Sequence, residues 1–384
     1  MTTSTTEAPA AKRRGTFHPL SVAEVRKLTD EAVEVTFAVP EELQGQFDYV
    51  PGQYVALRTT LEDQEIRRSY SICAEPKPGE IRVAIKRDIG GLFSNWANDN
   101  LAAGDVLDVM SPAGAFISKH QMTEINHPEQ INTDVEATFV AFAAGSGITP
   151  VISIARTVLA ANTNVRFDLV YANKAAMDVM FVEELADLKD KYPTRFALHH
   201  VLSREQRISP LLSGRIDAEK LTSLFDNVLR TDDVDEWFLC GPYELVQLCR
   251  DTLAERGVPA DKIRYELFST GEPTKPQGNI GRPVQVDPSA DNYDITFTLD
   301  GLTGKVASPK HARESVLNAA LRVRPDVPFA CAGGVCGTCR AKVVSGTFTM
   351  EENYALEPDE IERGYVLTCQ THPTSEEITV DYDA

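Results

Sequence analysis

The sequence has no unbroken apolar run long enough to cross a membrane. Its most apolar stretch, residues 139–161, is interrupted by Gly145, Gly147 and Pro150 and carries Arg156, whereas a spanning helix needs about 20 consecutive apolar residues. The first 15 residues also lack the apolar core of a signal peptide. We therefore expect a cytoplasmic protein with a disordered tail over residues 1–15.

Basic residues are scarce relative to acidic ones. The chain has 38 Lys and Arg against 57 Asp and Glu, which gives a formal charge of −19 at pH 7. Such a surface repels phosphate backbones and anionic lipid headgroups, so neither nucleic acid nor a membrane is expected as a partner. A protein with a basic docking patch is a better match, although many proteins are acidic for solubility alone.

A disulfide framework is not expected, because the protein is expected to be cytoplasmic. Four of the seven cysteines cluster near the C-terminus, which predicts metal chemistry. Cys73 and Cys249 are expected to be buried core thiols in a strand and a helix. The sequence also lacks a pair of E-x-x-H motifs and a haem-binding domain, so we do not expect the chain to activate oxygen itself.

Three regions with different hydrophobic patterns follow one another. Residues 16–120 alternate apolar and polar positions between turns, which is typical of a small antiparallel β-barrel. Residues 134–268 alternate strands and helices, which predicts an α/β unit with a parallel sheet. A Gly- and Pro-rich linker over 269–292 leads to an α+β, β-grasp-like unit over 293–384. The predicted fold class is multidomain.

Individual elements are predicted within these regions from the period of the apolar residues. Strands are expected at residues 138–144, 166–172, 196–202, 237–240 and 295–299, and helices at 92–101, 181–190 and 315–321.

The clustered cysteines have a specific spacing. Cys331, Cys336 and Cys339 form C-x4-C-x2-C, and Cys369 follows, which is the plant-type [2Fe–2S] pattern. The glycines between them let the backbone approach the sulfur atoms and donate N–H groups. Structural zinc is the alternative, but zinc sites usually contain paired C-x2-C units, and this cluster has one.

A short motif at the end of a barrel strand is compatible with a flavin. The ring of Tyr70 can stack on the flavin, and the Ser71 hydroxyl can donate to a nitrogen of the flavin ring. The Arg68 guanidinium can bind a phosphate through two N–H groups. Downstream, Gly90-Gly91 opens a helix whose first amides can hold a pyrophosphate. An ordinary half-exposed strand is the alternative interpretation of the first motif.

Two turns indicate a nucleotide crevice. Residues 144–150, with Gly145, Gly147, Thr149 and Pro150, follow a strand and open a helix, as a diphosphate site requires. They do not form the full G-x-G-x-x-G fingerprint. The run Cys240-Gly241-Pro242 closes another strand where ligands bind in such sheets, although a buried thiol at a helix start is equally compatible with it.

A third loop bears on the choice of nicotinamide. Ser203 and Arg204 follow a strand and can hold the 2′-phosphate that distinguishes NADPH from NADH. A solvated loop is the alternative.

In this order, the motifs R-x-Y-S, G-x-G-x-T-P, C-G-P and C-x4-C-x2-C resemble the ferredoxin–NADP reductase superfamily with a C-terminal ferredoxin domain. The resemblance runs from about residue 16 to residue 384. Residues 351–360, 364–370 and 380–384 are similar to the reductase subunits of phenylacetyl-CoA epoxidases. The resemblance implies three cofactors, namely FAD, a [2Fe–2S] cluster and NADPH, with NADH the less favoured nicotinamide.

The resemblance also implies roles for individual residues. Ser71, Cys240 and Glu266 would be catalytic. FAD would be held by Arg68, Tyr70, Ser71 and Phe268 and by the backbone of Ala84, Ile85, Lys86, Gly91, Leu92, Phe93 and Ser94. NADP would be held by Gly145, Gly147, Thr149, Pro150, Ser203, Arg204, Cys240, Gly241 and Pro242. The cluster ligands would be Cys331, Cys336, Cys339 and Cys369.

The function implied by the resemblance is electron transfer to a separate di-iron oxygenase, one that epoxidises the ring of phenylacetyl-CoA. A steroid 9α-hydroxylase or an alkane or aromatic-ring oxygenase is an alternative partner. A protein that is not an enzyme, namely an electron carrier or redox sensor, is a further alternative. The intact glycines of the nucleotide turn and Cys240 argue against it.

Overall fold

The computed structural model describes residues 16–118, 136–229, 231, 233–268, 284, 291–356 and 358–384. The predicted tail over residues 1–15 and most of the predicted linker over 269–292 lie outside these ranges. Within the described residues, no helix combines the length and apolar character needed to cross a bilayer.

The first unit is an antiparallel sheet that closes on itself. Its strands are β1 (Phe17–Thr29), β2 (Ala32–Ala38), β3 (Tyr54–Leu61), β4 (Gln64–Ser71), β5 (Glu80–Lys86) and β6 (Val106–Met110). Their order is β4-β3-β6-β1-β2-β5. A bridge between Ile72, just beyond β4, and Val83 in β5 joins the two outer strands, which completes the predicted barrel. The predicted helix is confirmed as α1 (Leu92–Asn100), which packs against β5.

The second unit is a parallel sheet. It contains β7 (Ala137–Ala144), β8 (Val165–Asn173), β9 (Phe196–Leu202), β10 (Glu236–Gly241) and β11 (Ile263–Leu267), interleaved with α2 (Ile148–Ala161), α3 (Val182–Lys191), α4 (Ala218–Asn227) and α5 (Tyr243–Glu255). The four predicted strands are confirmed to within one residue at each end. The order β11-β10-β7-β8-β9 reverses between β7 and β10, so a crevice opens at the carboxyl ends of these two strands.

The third unit is a mixed sheet with the cysteine loop at one end. Its strands are β12 (Asn292–Leu299), β13 (Leu302–Pro309), β14 (Arg340–Ser345), β16 (Tyr365–Leu367) and β18 (Glu377–Asp381), with a separate pair β15 (Phe348–Met350) and β17 (Thr371–Pro373). The helices are α6 (Val316–Leu321) and α7 (Pro358–Glu362). The first strand of this unit begins at Asn292, three residues before the strand predicted at 295–299, and both end at Leu299.

The barrel and the parallel sheet share part of their core across helix α2. The Ser153 hydroxyl donates to the carbonyl of Ala74 at 2.6 Å, and the Arg156 guanidinium donates to that of Cys73 at 3.2 Å. Cys73 and Cys249 are fully buried, as predicted, but Cys73 lies just past the isolated bridge at Ile72 rather than in a strand. This packing fixes the end of β4 relative to the crevice.

Candidate redox site

A hydroxyl–carboxyl pair lies where the barrel meets the parallel sheet. Ser71 ends β4, and its Oγ donates to Oε2 of Glu266 in β11 at 2.9 Å. Burial raises the pKa of Glu266 to about 7, against the opposing effect of the Ser71 hydrogen bond, and the nearby Cys336 adds to the increase. At neutral pH this carboxyl therefore exchanges a proton readily, which is a property typical of functional sites.

Cys240 lies next to that pair. It lies near the end of β10, where its register partners are Glu266 in β11 and Ala143 in β7. The side chain is fully buried, and burial raises the pKa of its thiol, so the sulfur is protonated at neutral pH. The structure thus brings together the three residues predicted to be catalytic, from three different strands.

The turns after β7 and β10 pack backbone against backbone. A Cβ atom added at Gly147 would lie 2.3 Å from the carbonyl oxygen of Cys240, and one at Gly241 would lie 3.0 Å from the Cβ of Ala144. The Tyr171 hydroxyl donates to the carbonyl of Gly145 at 2.9 Å and anchors the turn from β8. The crevice is therefore lined by main chain, as close approach of a nucleotide requires.

Three further residues predicted for the nucleotide lie at the starts of helices α2 and α5, beside this crevice. The Thr149 hydroxyl donates to the carbonyl of Ser146 at 3.0 Å, so it stabilises the turn while the side chain as a whole stays buried. Pro150 lies in the first turn of α2, and Pro242 precedes the first residue of α5.

The residues predicted to bind a 2′-phosphate lie at the same edge of the sheet. Ser203 and Arg204 follow β9, are exposed, and donate their backbone N–H groups to the carbonyls of Asn173 and Lys174 at 2.9 and 2.7 Å. Lys174 is a second cation at this edge that the sequence analysis did not single out, although its place directly after β8 was a usable signal. Two cations beside a hydroxyl suit an anionic group.

Tyr70, the aromatic residue of the R-x-Y-S motif, is half-buried. The ring of Tyr70 lies 5.7 Å from that of Phe93, centroid to centroid, and burial raises the pKa of its hydroxyl. Phe268, just beyond β11, is 39% exposed. The side chains of Ala84, Ile85 and Phe93 are buried in the barrel, so these residues offer only backbone groups, as expected.

The turn before α1 is ordered by its own side chains. The amide of Asp88 donates to Ser94 Oγ at 3.1 Å, and a Cβ at Gly91 would lie 2.6 Å from that oxygen. The first amides of a helix have no partner within the helix, so those of Leu92 and Phe93 are suited to a phosphate. Lys86 Nζ, at the end of β5, lies 3.6 Å from the Cβ position of Gly145, so this cation lies beside the turn after β7.

The four predicted cluster cysteines converge as two pairs. The thiols of Cys331 and Cys336 are within hydrogen-bonding range of each other, as are those of Cys339 and Cys369. The hydrogen bond from Cys331 lowers the pKa of Cys336, against the opposing effect of burial. Across the described part of the chain, no three His, Cys, Asp or Glu side chains converge on a point suited to a single ion. Two pairs of thiols are what a [2Fe–2S] cluster with four cysteine ligands requires, and the C-x4-C-x2-C spacing, not the pairing, separates it from zinc.

Hydrogen-bond donors surround these sulfur atoms. The amide of Gly333 lies 3.4 Å from Cys331 Sγ, the Thr338 hydroxyl 3.1 Å from Cys336 Sγ, and the Gln370 amide nitrogen 3.7 Å from Cys369 Sγ. Such donors tune an iron–sulfur cluster. Backbone donors were expected from the glycines of the loop, but the side-chain donors Thr338 and Gln370 were not, although each stands directly beside one of the cysteines in the sequence.

Comparison with known proteins assigns each unit to a family. An oxidoreductase FAD-binding domain matches residues 19–117, an oxidoreductase NAD-binding domain residues 142–251, and a 2Fe-2S iron-sulfur cluster binding domain residues 297–374. Over 369 residues the chain is 41% identical to one of the subunits of the 1,2-phenylacetyl-CoA epoxidase of Escherichia coli K12, covering 96% of this chain and 98% of that protein. The chain belongs to the ferredoxin–NADP reductase superfamily. It is an electron-transfer oxidoreductase with FAD-, NAD- and [2Fe–2S]-binding domains.

Other relatives share this organisation over their whole length. The reductase is 33% identical over 369 residues to the ferredoxin reductase component of the 3-ketosteroid-9-alpha-monooxygenase of Rhodococcus rhodochrous, covering 94% of this chain and 96% of that protein. The solved structure of phthalate dioxygenase reductase has the same fold, with a TM-score of 0.56 at 20% identity over 95% of this chain and 98% of that one.

Proposed function

We propose that this reductase carries electrons from NADPH through FAD and its [2Fe–2S] cluster to a di-iron oxygenase that epoxidises the ring of phenylacetyl-CoA. The observation that carries the proposal is the 41% identity, over nearly the full length of both chains, to a subunit of a phenylacetyl-CoA epoxidase. On this route the nicotinamide, the flavin and the cluster are each bound by one domain of this chain, and the oxygenase is a separate protein. The acidic composition is compatible with a cytoplasmic enzyme that docks on a basic patch.

Some of the residues described above would bind the cofactors, and others would hold a proton beside the flavin. FAD supplies the exchange between the two electrons of a hydride and the single electrons that a [2Fe–2S] cluster accepts. Gly147 packs on the backbone of Cys240 and Gly241 packs on Ala144, and this close packing shapes the crevice in which the nicotinamide would lie. The neutral thiol of Cys240 excludes water there without adding charge. Ser71 Oγ and Glu266 Oε2 hold a proton in a part-buried pair next to the position proposed for the flavin.

The proposed route predicts a specific pH dependence of flavin reduction. The pKa of Glu266 is raised to about 7, so this carboxyl is mostly neutral at pH 6 and mostly ionised at pH 8. The negative charge that arrives with a hydride is tolerated better beside a neutral carboxyl, so the rate constant for flavin reduction should fall severalfold from pH 6 to pH 8. Stopped-flow flavin bleaching at saturating NADPH measures it.

Glu266→Gln is the control for this profile, because the amide does not titrate. Its flavin-reduction rate should show no inflection near pH 7. The assignment to Glu266 is wrong if the variant keeps the inflection of the unmodified protein.

The proposed preference for NADPH depends on the edge formed by Ser203 and Arg204. Arg204→Gln should raise the KM for NADPH by about tenfold to a hundredfold, because a charge-assisted bond to phosphate is worth about 1.5–3 kcal/mol. The KM for NADH should change little. Arg215→Gln, at an exposed arginine of the same domain, is the matched control. Equal changes for both nicotinamides would contradict the assignment.

The partner is tested by reconstitution. The reductase, NADPH and the di-iron phenylacetyl-CoA oxygenase are mixed anaerobically, the reaction is started with air, and epoxidised product is measured. Parallel runs use cytochrome c as a generic acceptor. Product formation supports the proposal, whereas brisk cytochrome c reduction without product rejects this partner. A 3-ketosteroid 9α-monooxygenase is the second oxygenase to test, because its reductase component is 33% identical to this chain.

The same runs distinguish a reductase from an electron carrier or redox sensor. A carrier would show no NADPH-dependent turnover with either acceptor, whereas a reductase reduces cytochrome c catalytically.

A further inference from the structure

A buried arginine of the flavin domain holds the cysteine-bearing domain. Arg67, in β4, is 4% exposed. Its Nη1 donates to the carbonyl of Val327 at 3.4 Å and its Nη2 to that of Pro325 at 3.3 Å. Its guanidinium also lies 4.4 Å from the centroid of the Phe329 ring. These three partners precede the cluster loop, so a single side chain fixes the approach to that loop.

A second contact ends on the cluster loop itself. The hydroxyls of Tyr54, in β3, and Thr338 lie 3.0 Å apart, and the Thr338 hydroxyl lies 3.1 Å from Cys336 Sγ. Tyr54 is also the cross-strand partner of Ser71. The chain of contacts therefore runs from the strand pair that carries the hydroxyl–carboxyl pair to a cysteine of the proposed cluster.

The apolar contact between the barrel and the cysteine-bearing domain is small. Tyr54, Ala56 and Met110 of the barrel form one buried group with Ala330. Small, largely polar interfaces between domains are typical of reversible contacts. The carbonyl partners of Arg67 can be replaced by water when the domains separate, which keeps the cost of separation low. On the barrel side, the hydrogen bonds of Arg67 and Tyr54 thus accompany a small apolar group, while Val335 and Tyr354 pack against the core of the parallel-sheet unit.

We infer that Arg67 and Tyr54 are positioning residues, which hold the cluster loop against the flavin domain and thereby set the rate of electron transfer from flavin to cluster. The inference rests on the proposed order of electron flow. Neither residue belongs to the R-x-Y-S motif or to the cysteine set. Their role is to keep the distance between two redox centres short, and a separated domain would lose that distance while retaining both centres.

The test uses the full-length protein with both cofactors and follows two phases after anaerobic mixing with NADPH. Arg67→Met and Tyr54→Phe should leave flavin bleaching within about twofold of the unmodified rate. Cluster reduction should slow by about tenfold in Arg67→Met and by less in Tyr54→Phe, because a charged group makes the stronger hydrogen bonds. Arg58→Met is the matched control, since Arg58 is the cross-strand neighbour of Arg67 and bonds Asp108 within the barrel.

A structural readout accompanies the kinetics. In Arg67→Met, amide hydrogen exchange should increase in residues 325–338 and remain unchanged in the parallel sheet, as expected when a docked domain opens more often. Normal cluster reduction in both variants, or unchanged exchange in Arg67→Met, would overturn the inference while leaving the proposed function intact. Absence of cluster reduction in the unmodified protein would instead reject the proposed route, and the inference with it.

Discussion

Cys336→Ser is expected to abolish electron delivery from this reductase while leaving flavin reduction by NADPH at its normal rate. Cys336 pairs with Cys331, and the Cys339–Cys369 pair supplies the other two sulfur atoms. Each iron of a plant-type cluster takes two thiolates from the protein, so one lost sulfur leaves one iron with an incomplete ligand set. The flavin and nucleotide crevice lies in the other two domains and keeps all of its residues.

Three measurements on the purified variant check this prediction. Iron content per chain should fall towards zero, product formation with the oxygenase should fall to background, and flavin bleaching by NADPH should be unchanged. Cys249→Ala is the matched control, because Cys249 is fully buried in α5 and outside the proposed cluster. Product formation by Cys336→Ser at the normal rate would show that the cluster is not on the electron path.

The fold was predictable from the sequence because its periodicities are strong and local. Alternating Val35 and Phe37 predict a barrel strand with one buried face, and both side chains are fully buried. Short apolar runs between helices predict the parallel sheet. The strand β11 was not predicted, because its five residues Ile263–Leu267 include Arg264 and Glu266, which break the apolar pattern. Arg264 is buried in an ion pair with Glu236 of β10 at 3.2 Å.

The site was predictable in composition but not in geometry. The cysteine spacing is a local property of one loop, and all four cysteines converge. The pairing of Ser71 with Glu266 joins residues that are 195 positions apart and depends on how the barrel packs on the sheet. Local sequence patterns do not contain that information. The resemblance to a family placed both residues beside the flavin but did not predict their hydrogen bond. Arg67 illustrates the same limit, since nothing in its local sequence marks it as an interdomain contact, whereas Arg68 belongs to the R-x-Y-S motif.

Gly147→Ala is expected to lower kcat/KM for NADPH by about a hundredfold, a loss typical of a misplacement of about 1 Å at a reacting centre. Gly147 has an ordinary helical backbone conformation, so alanine causes no dihedral strain there. The effect is steric, because the added Cβ would lie 2.3 Å from the Cys240 carbonyl oxygen and 2.6 Å from its carbon. Both atoms are backbone and cannot rotate away, so the turn after β7 or the end of β10 must shift.

Either shift changes the wall of the crevice beside the contact of Gly147 with Cys240, where the nicotinamide is proposed to bind. Gly45→Ala is the matched control, since nothing lies within 4 Å of the Cβ position at Gly45. The readout is NADPH-dependent reduction of ferricyanide, with FAD and iron content measured on the same samples. The backbone contact between the two turns cannot survive the Gly147→Ala substitution unchanged. If the variant keeps both cofactors and its kcat/KM stays within a few-fold of normal, the nicotinamide therefore binds elsewhere.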